Sequence, residues 1–133
     1  LDNRGLLDFK KIAAIDKVLS NNQDDPVIIF SHHPPFNLST DNAPRFEFVN
    51  KNSIKLFNEL VDRHSQIVAL FCGHFHRPIR KRIGLFDANI APPVCNLIDY
   101  SSSKNGPNHI GNFQLHKFGN GYDFTTEVKM IYN

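Results

Sequence analysis

The chain has 133 residues, 15 Lys or Arg against 13 Asp or Glu, and a net charge of +2. That length suits one domain, able to bury about two thirds of its unfolded surface, and the mild, interspersed charge argues against a nucleic-acid polymer or an anionic membrane as partner. No apolar run approaches the roughly 20 residues that span a bilayer. Cys72 and Cys95 both lie in apolar segments and read as buried thiols, not as a disulfide framework. A cytoplasmic location is expected.

Leu6, Phe9, Ile12, Ile15 and Leu19 recur at spacings of three and four with Lys10, Lys11, Asp16 and Lys17 between them, which predicts an amphipathic helix ending near Ser20-Asn21-Asn22. Pro26-Val27-Ile28-Ile29-Phe30 is a short β-branched apolar run of buried-strand type, and it delivers Ser31-His32-His33-Pro34-Pro35 at its C-terminal end. Pro34 and Pro35 stop the strand and stiffen the loop that follows. From Phe36 to Asn50 the chain is a polar loop, placed either to shape a substrate pocket or simply to connect.

A second helix is predicted with Asn50 or Asn52 as its cap and Ile54, Phe57, Leu60 and Val61 as its buried stripe. His64 falls at its end, where a protonated imidazole suits the helix dipole. The apolar run Ile67 to Phe71 then predicts a second buried strand, which runs into Cys72-Gly73-His74-Phe75-His76-Arg77-Pro78. Helix, strand, helix, strand is the alternation of α/β layers on a largely parallel sheet. Beyond Pro78 the pattern becomes β-rich. Ile79 to Ile83 reads as a strand with Arg80 and Arg82 on one face, a turn follows at Gly84 or at Asp87 to Asn89, and Ala91–Ile98, Phe113–Phe118 and Tyr122–Ile131 read as further strands. The basic cluster Arg77 to Arg82 is a solvated strand face, with attraction of a phosphate as its functional alternative. His116 is expected to be an exposed strand residue.

Two predicted strands therefore end in histidine. In a helix, residues two apart diverge by about 200°, whereas in turning or extended backbone they can serve one site, so His74 and His76 suit a strand end. Open α/β sheets build sites at the carboxyl ends of strands, which allows His32 to join them from far away in the sequence. Neutral imidazole is the commonest protein metal ligand.

In the pair formed by Ser31-His32-His33-Pro34-Pro35 and Gly73-His74-Phe75-His76, the chain resembles the calcineurin-like metallophosphoesterases, whose motifs run D-x-H, G-D, G-N-H-[DE], H-H-P and G-H-x-H. Only the last two are matched. Asn108-His109, after G-H-x-H and following Pro107, reads as a turn with a chance histidine. Ala91-Pro92-Pro93-Val94-Cys95 and Gly111-Asn112-Phe113-Gln114-Leu115-His116 are similar to the class III cyclic-nucleotide phosphodiesterases within that family. The resemblance implies the C-terminal half of a layered α-β-β-α sandwich, with residues 1–133 as a single domain lacking the half that carries the acidic metal motifs.

It also implies a binuclear site of two divalent or trivalent ions (Fe, Mn or Zn), with His32 and His74 serving one metal and His76 the other. The bridging aspartate, an asparagine ligand and the leaving-group acid would belong to absent motifs, so no catalytic residue is assigned within this chain. His33 receives no ligand role, and packing, orienting His32 and facing the substrate all remain open for it. The implied function is hydrolysis of a small phosphodiester, such as a cyclic nucleotide, or of a phosphomonoester. The alternative is a non-catalytic interaction module on the same fold. The expected partners are a small phosphoester substrate and either the missing N-terminal half or a second copy of the chain.

Overall fold

A computed structural model describes residues 5–38, 51–94, 109–119 and 124–132. Asn50, Cys95 and the second half of the expected strand 91–98 lie outside them. Two helices, α1 (Phe9–Ser20) and α2 (Lys51–Val61), alternate with β1 (Val27–Ser31) and β2 (Ile67–Cys72), as the apolar spacings require. Strands β3 (Ile79–Ile83) and β4 (Phe86–Ile90) complete a four-stranded sheet in the order β1-β2-β4-β3. The pairs β1–β2 and β2–β4 are parallel, and β3 runs antiparallel at the far edge. A separate antiparallel ribbon is formed by β5 (His109–Phe118) and β6 (Phe124–Tyr132).

The helices bury their stripes on one face of the sheet. Ile12 and Leu19 of α1 and Phe57, Leu60 and Val61 of α2 join Leu70, Cys72, Ala88 and Ile90 in one core. Leu60, Leu70, Ala88 and Ile90 are fully buried, which makes this contact the main apolar gain of the fold. Asp8 caps α1 by accepting from the Lys11 amide at 2.8 Å. Phe9, the first residue of α1, and Leu6 before it depart from the expected stripe and are exposed. Asn52 lies inside α2 and so is not its cap.

The opposite face of β2 carries Phe71, and there the β5–β6 ribbon docks. The His116 ring stacks on Phe71 with centroids 3.8 Å apart, and Phe124 meets the same ring edge-on at 6.1 Å. The Gln114 side chain donates to the Ile90 carbonyl at 3.2 Å, and the Asn112 amide donates to the Pro93 carbonyl at 3.3 Å. Gly111 is required at this seam, since a Cβ there would lie 2.1 Å from the Val94 carbonyl oxygen.

Two expectations need correction. Phe86 to Ile90 is a central strand, not the turn allowed at Asp87 to Asn89; the chain reverses at Gly84, whose φ of +52° is left-handed, and Leu85. Asp and Asn are depleted in strands, so this segment hid its alternation. Asp87 is satisfied across the β3–β4 pair by Arg80 and Arg82, and Asn89 is buried with its amide turned to the Asp87 carbonyl. The described part of the expected strand from Ala91, residues 91–94, is not a strand. Phe36 and Leu38, at the start of the polar loop, pack into the core. No described helix is long and apolar enough to cross a membrane.

Candidate metal centre

Parallel pairing of β1 with β2, with Ser31 opposite Cys72, brings the ends of the two histidine-bearing strands side by side. The Gly73 amide donates to the His32 carbonyl at 3.1 Å and locks the two loops together. In the first loop, Ser31 Oγ donates to the His33 carbonyl at 2.8 Å, and Pro34 and Pro35 are fully buried, which fixes the backbone that presents His32 and His33.

The second loop is tighter. The Phe75 amide donates to the Gly73 carbonyl at 2.8 Å, so Gly73-His74-Phe75 forms a γ-turn centred on His74 at φ +63°. That conformation is rare and strained in L-residues, and His76 is left-handed as well, at φ +56°. Strain of this kind persists only where surroundings impose it, and Phe75, buried against the core between the two histidines, supplies the anchor.

His32, His33 and His74 converge, with one ligand nitrogen from each lying within 4.8 Å of the others. His32 Nε2 and His74 Nδ1 stand 3.1 Å apart. Ring centroids are separated by 4.8 Å for His32–His33, 4.9 Å for His32–His74 and 4.2 Å for His33–His74. Two nitrogens bound to one tetrahedral zinc at about 2.0–2.1 Å are roughly 3.3 Å apart, so the His32–His74 spacing fits a shared ion with little movement. Three imidazoles without a carboxylate form the neutral donor set of an open zinc-type site.

His76 is exposed and stands outside this group, whereas His33, which the motif match left without a role, stands within it. The Ser31–His33 bond turns the chain directly after β1, so strand alternation no longer separates His32 from His33. Cys72 borders the site outside the histidine cluster, and burial pushes its thiol up to about 12.

His116 departs from the exposed strand position that periodicity gave it. It is half-buried on Phe71, with Nδ1 2.9 Å from Thr126 Oγ1, and burial lowers its pKa. The signal for it would have been the register of β5 against the sheet, which no local pattern contains. The basic strand reads as its structural alternative had it. Arg80 and Arg82 turn to Asp87, Lys81 reaches the Asn37 carbonyl, and Arg77 lies 5.9 Å from the Phe75 ring centroid.

No protein-family model matches the chain. It is 36% identical over 73 residues to a glycerophosphodiester phosphodiesterase GpdQ of Enterobacter lignolyticus, a match covering 55% of this chain and 25% of that protein. A probable glycerophosphodiester phosphodiesterase GpdQ of Arcobacter nitrofigilis is 29% identical over 77 residues, covering 55% of this chain and 26% of that one. The chain thus spans about a quarter of the length of these curated relatives. Its fold superposes on a dimetal phosphatase from Danio rerio with a TM-score of 0.56 at 20% identity, over 66% of this chain and 27% of that one. In sequence the chain is thus similar to two glycerophosphodiester phosphodiesterases and in fold to a dimetal phosphatase, in keeping with the resemblance of its histidine motifs to the calcineurin-like metallophosphoesterases.

Proposed function

We propose that this chain contributes the histidine ligands of a metal-dependent phosphoesterase acting on a small phosphodiester, such as a cyclic nucleotide, or on a phosphomonoester. The observation that carries the reading is the convergence of His32, His33 and His74 at the ends of two parallel strands, with His74 held in a left-handed turn. His32 Nε2 and His74 Nδ1 would hold one ion, His33 stands where it can complete that donor set, and His76 is available to a second ion of the pair. When bound, a divalent ion (Zn or Mn) or Fe supplies Lewis acidity toward a phosphoryl oxygen and makes water a competent nucleophile at neutral pH.

The chain's own part is placement. The Gly73–His32 backbone bond, the buried prolines and the Phe75 anchor fix the imidazoles before any ligand arrives, so little ordering remains to be done on binding. No stretch of residues 1–133 matches the family's acidic motifs. The reading therefore assigns the bridging aspartate and the leaving-group acid to residues outside this chain.

The test is hydrolysis of bis(4-nitrophenyl) phosphate by the full-length protein that contains residues 1–133. His32→Ala and His74→Ala should each reduce turnover by 100-fold or more, and normal turnover in both would overturn the proposal. One observation favours the second reading, an interaction module: among the described residues, no carboxylate joins the histidine cluster. Metal binding with no hydrolysis of any phosphoester by the longer protein would select it.

A further inference from the structure

A cavity of about 470 Å³ opens beside His32, between the C-terminal ends of β1 and β2 and the docked β5–β6 ribbon. Its size lies in the range of small-molecule sites. Three aromatic rings, those of Phe30, Phe71 and Phe113, contribute to its wall, and Pro92 and Val94 add further apolar surface. Phe30 is 75% exposed although it belongs to a strand, and its ring lies 5.5 Å from Phe71 at a 38° tilt. The exposed rings of Phe30 and Phe113, beside a cluster of potential ligands, leave apolar faces available for stacking.

The polar lining is sparse and fixed. Gln114 is tied to the Ile90 carbonyl, and His116 is tied to Thr126 and stacked on Phe71. The described lining residues include no Asp, Glu, Lys or Arg, so no such side chain would balance a second charged group on a ligand. His32 belongs to both places, since it lines the cavity and its Nε2 meets His74 in the cluster.

We propose that this cavity seats an uncharged, planar aromatic substituent of a phosphoester whose phosphoryl group lies at the histidine cluster. The inference rests on the metal-site reading for the phosphoryl end and on the cavity alone for the aromatic end. It narrows the substrate class. An aryl-bearing or heteroaromatic ester fits these walls, whereas a small polyol ester would leave the exposed rings of Phe30 and Phe113 uncovered. Stacking against such faces is worth roughly 2- to 12-fold in affinity beyond simple burial.

The two ends can be read separately in ¹H–¹⁵N spectra of the zinc-loaded chain, titrated with phenyl phosphate and with methyl phosphate. Both should shift the amides of Gly73 and His74. Only phenyl phosphate should shift those of Phe30, Phe113, Gln114 and His116, and it should bind about 5-fold or more tightly than methyl phosphate. Phe30→Ala and Phe113→Ala, both at exposed positions, should bring that preference close to unity. Cavity amides that stay silent with phenyl phosphate, or equal affinities for the two probes, overturn the inference and leave the metal-site reading intact. Cavity shifts with Gly73 and His74 silent preserve the aromatic seat and overturn the metal-site reading. Silence at both ends overturns both.

Discussion

Two sets of histidines flank β2, and they are built in opposite ways. His64, three residues before the strand, is buried, with Nε2 2.7 Å from Asp16 Oδ1 and Nδ1 3.4 Å from the Gln66 amide, which itself donates to the Leu19 carbonyl. Asp16 also accepts from Arg63 at 3.1 Å, so the end of α2 is joined to α1 through a carboxylate. Past the other end of the strand, His74 faces His32 and His33 in backbone that L-residues avoid, with no carboxylate in the cluster among the described residues. A histidine between a carboxylate and an amide is a structural tie; histidines gathered around one another are the arrangement proposed here as a ligand set. The difference lies in the neighbours, because the imidazole is the same in both.

The sharpest way to break this contrast is metal affinity. Calorimetric titration of the chain with Zn²⁺ should show His74→Ala weakening binding by about 100-fold or more, while His64→Ala changes it by less than about 2-fold. Comparable losses in the two variants would dissolve the distinction.

Stability should respond in the reverse sense. Removing His64 deprives a buried amide and a carboxylate of a partner, and His64→Ala should lower the thermal midpoint by roughly 5 °C or more. His74→Gly relaxes a left-handed residue at the expense of some backbone entropy, so it should be neutral or stabilising by up to about 1 kcal/mol even as the donor set is lost. A large destabilisation by His74→Gly, measured by denaturant unfolding, would mean that the second loop is a structural element in its own right.

The smallest effect concerns acid. The hydrogen bond from His64, then that from Arg63, holds the Asp16 carboxyl below its usual value. A depressed folded pKa gives stability that is fully present above the unfolded value near pH 4 and is lost as pH falls through the folded value. Asp16→Asn should therefore flatten the dependence of stability on pH below about pH 4 and leave Zn²⁺ affinity unaltered. An unchanged acid limb would remove Asp16 from the tie.

The sequence by itself determined the elements whose signal is local. The stripe of Ile12, Ile15 and Leu19 specified α1, that of Ile54, Phe57, Leu60 and Val61 specified α2, and the apolar runs before His32 and His74 specified β1 and β2 together with the loops that end them. Glycine and paired prolines marked where those strands stop, because their backbone limits are intrinsic. Only the tertiary structure decided the rest. Asp87 and Asn89 sit in a central strand because Arg80 and Arg82 on β3 satisfy Asp87, the Asp87 carbonyl accepts from the Asn89 amide, and the distant strand β2 pairs in parallel with the segment, a partner that no window around residue 87 contains. The partner of His64 came from α1, and the cover over His116 came from packing of Phe71 against a distant ribbon. Which histidines meet was likewise settled by dihedral angles and by strand pairing: the left-handed turn at His74 and the Gly73–His32 bond gather His32, His33 and His74 and leave His76 outside. Motif spacing counts residues but does not fix the direction in which each side chain leaves the backbone.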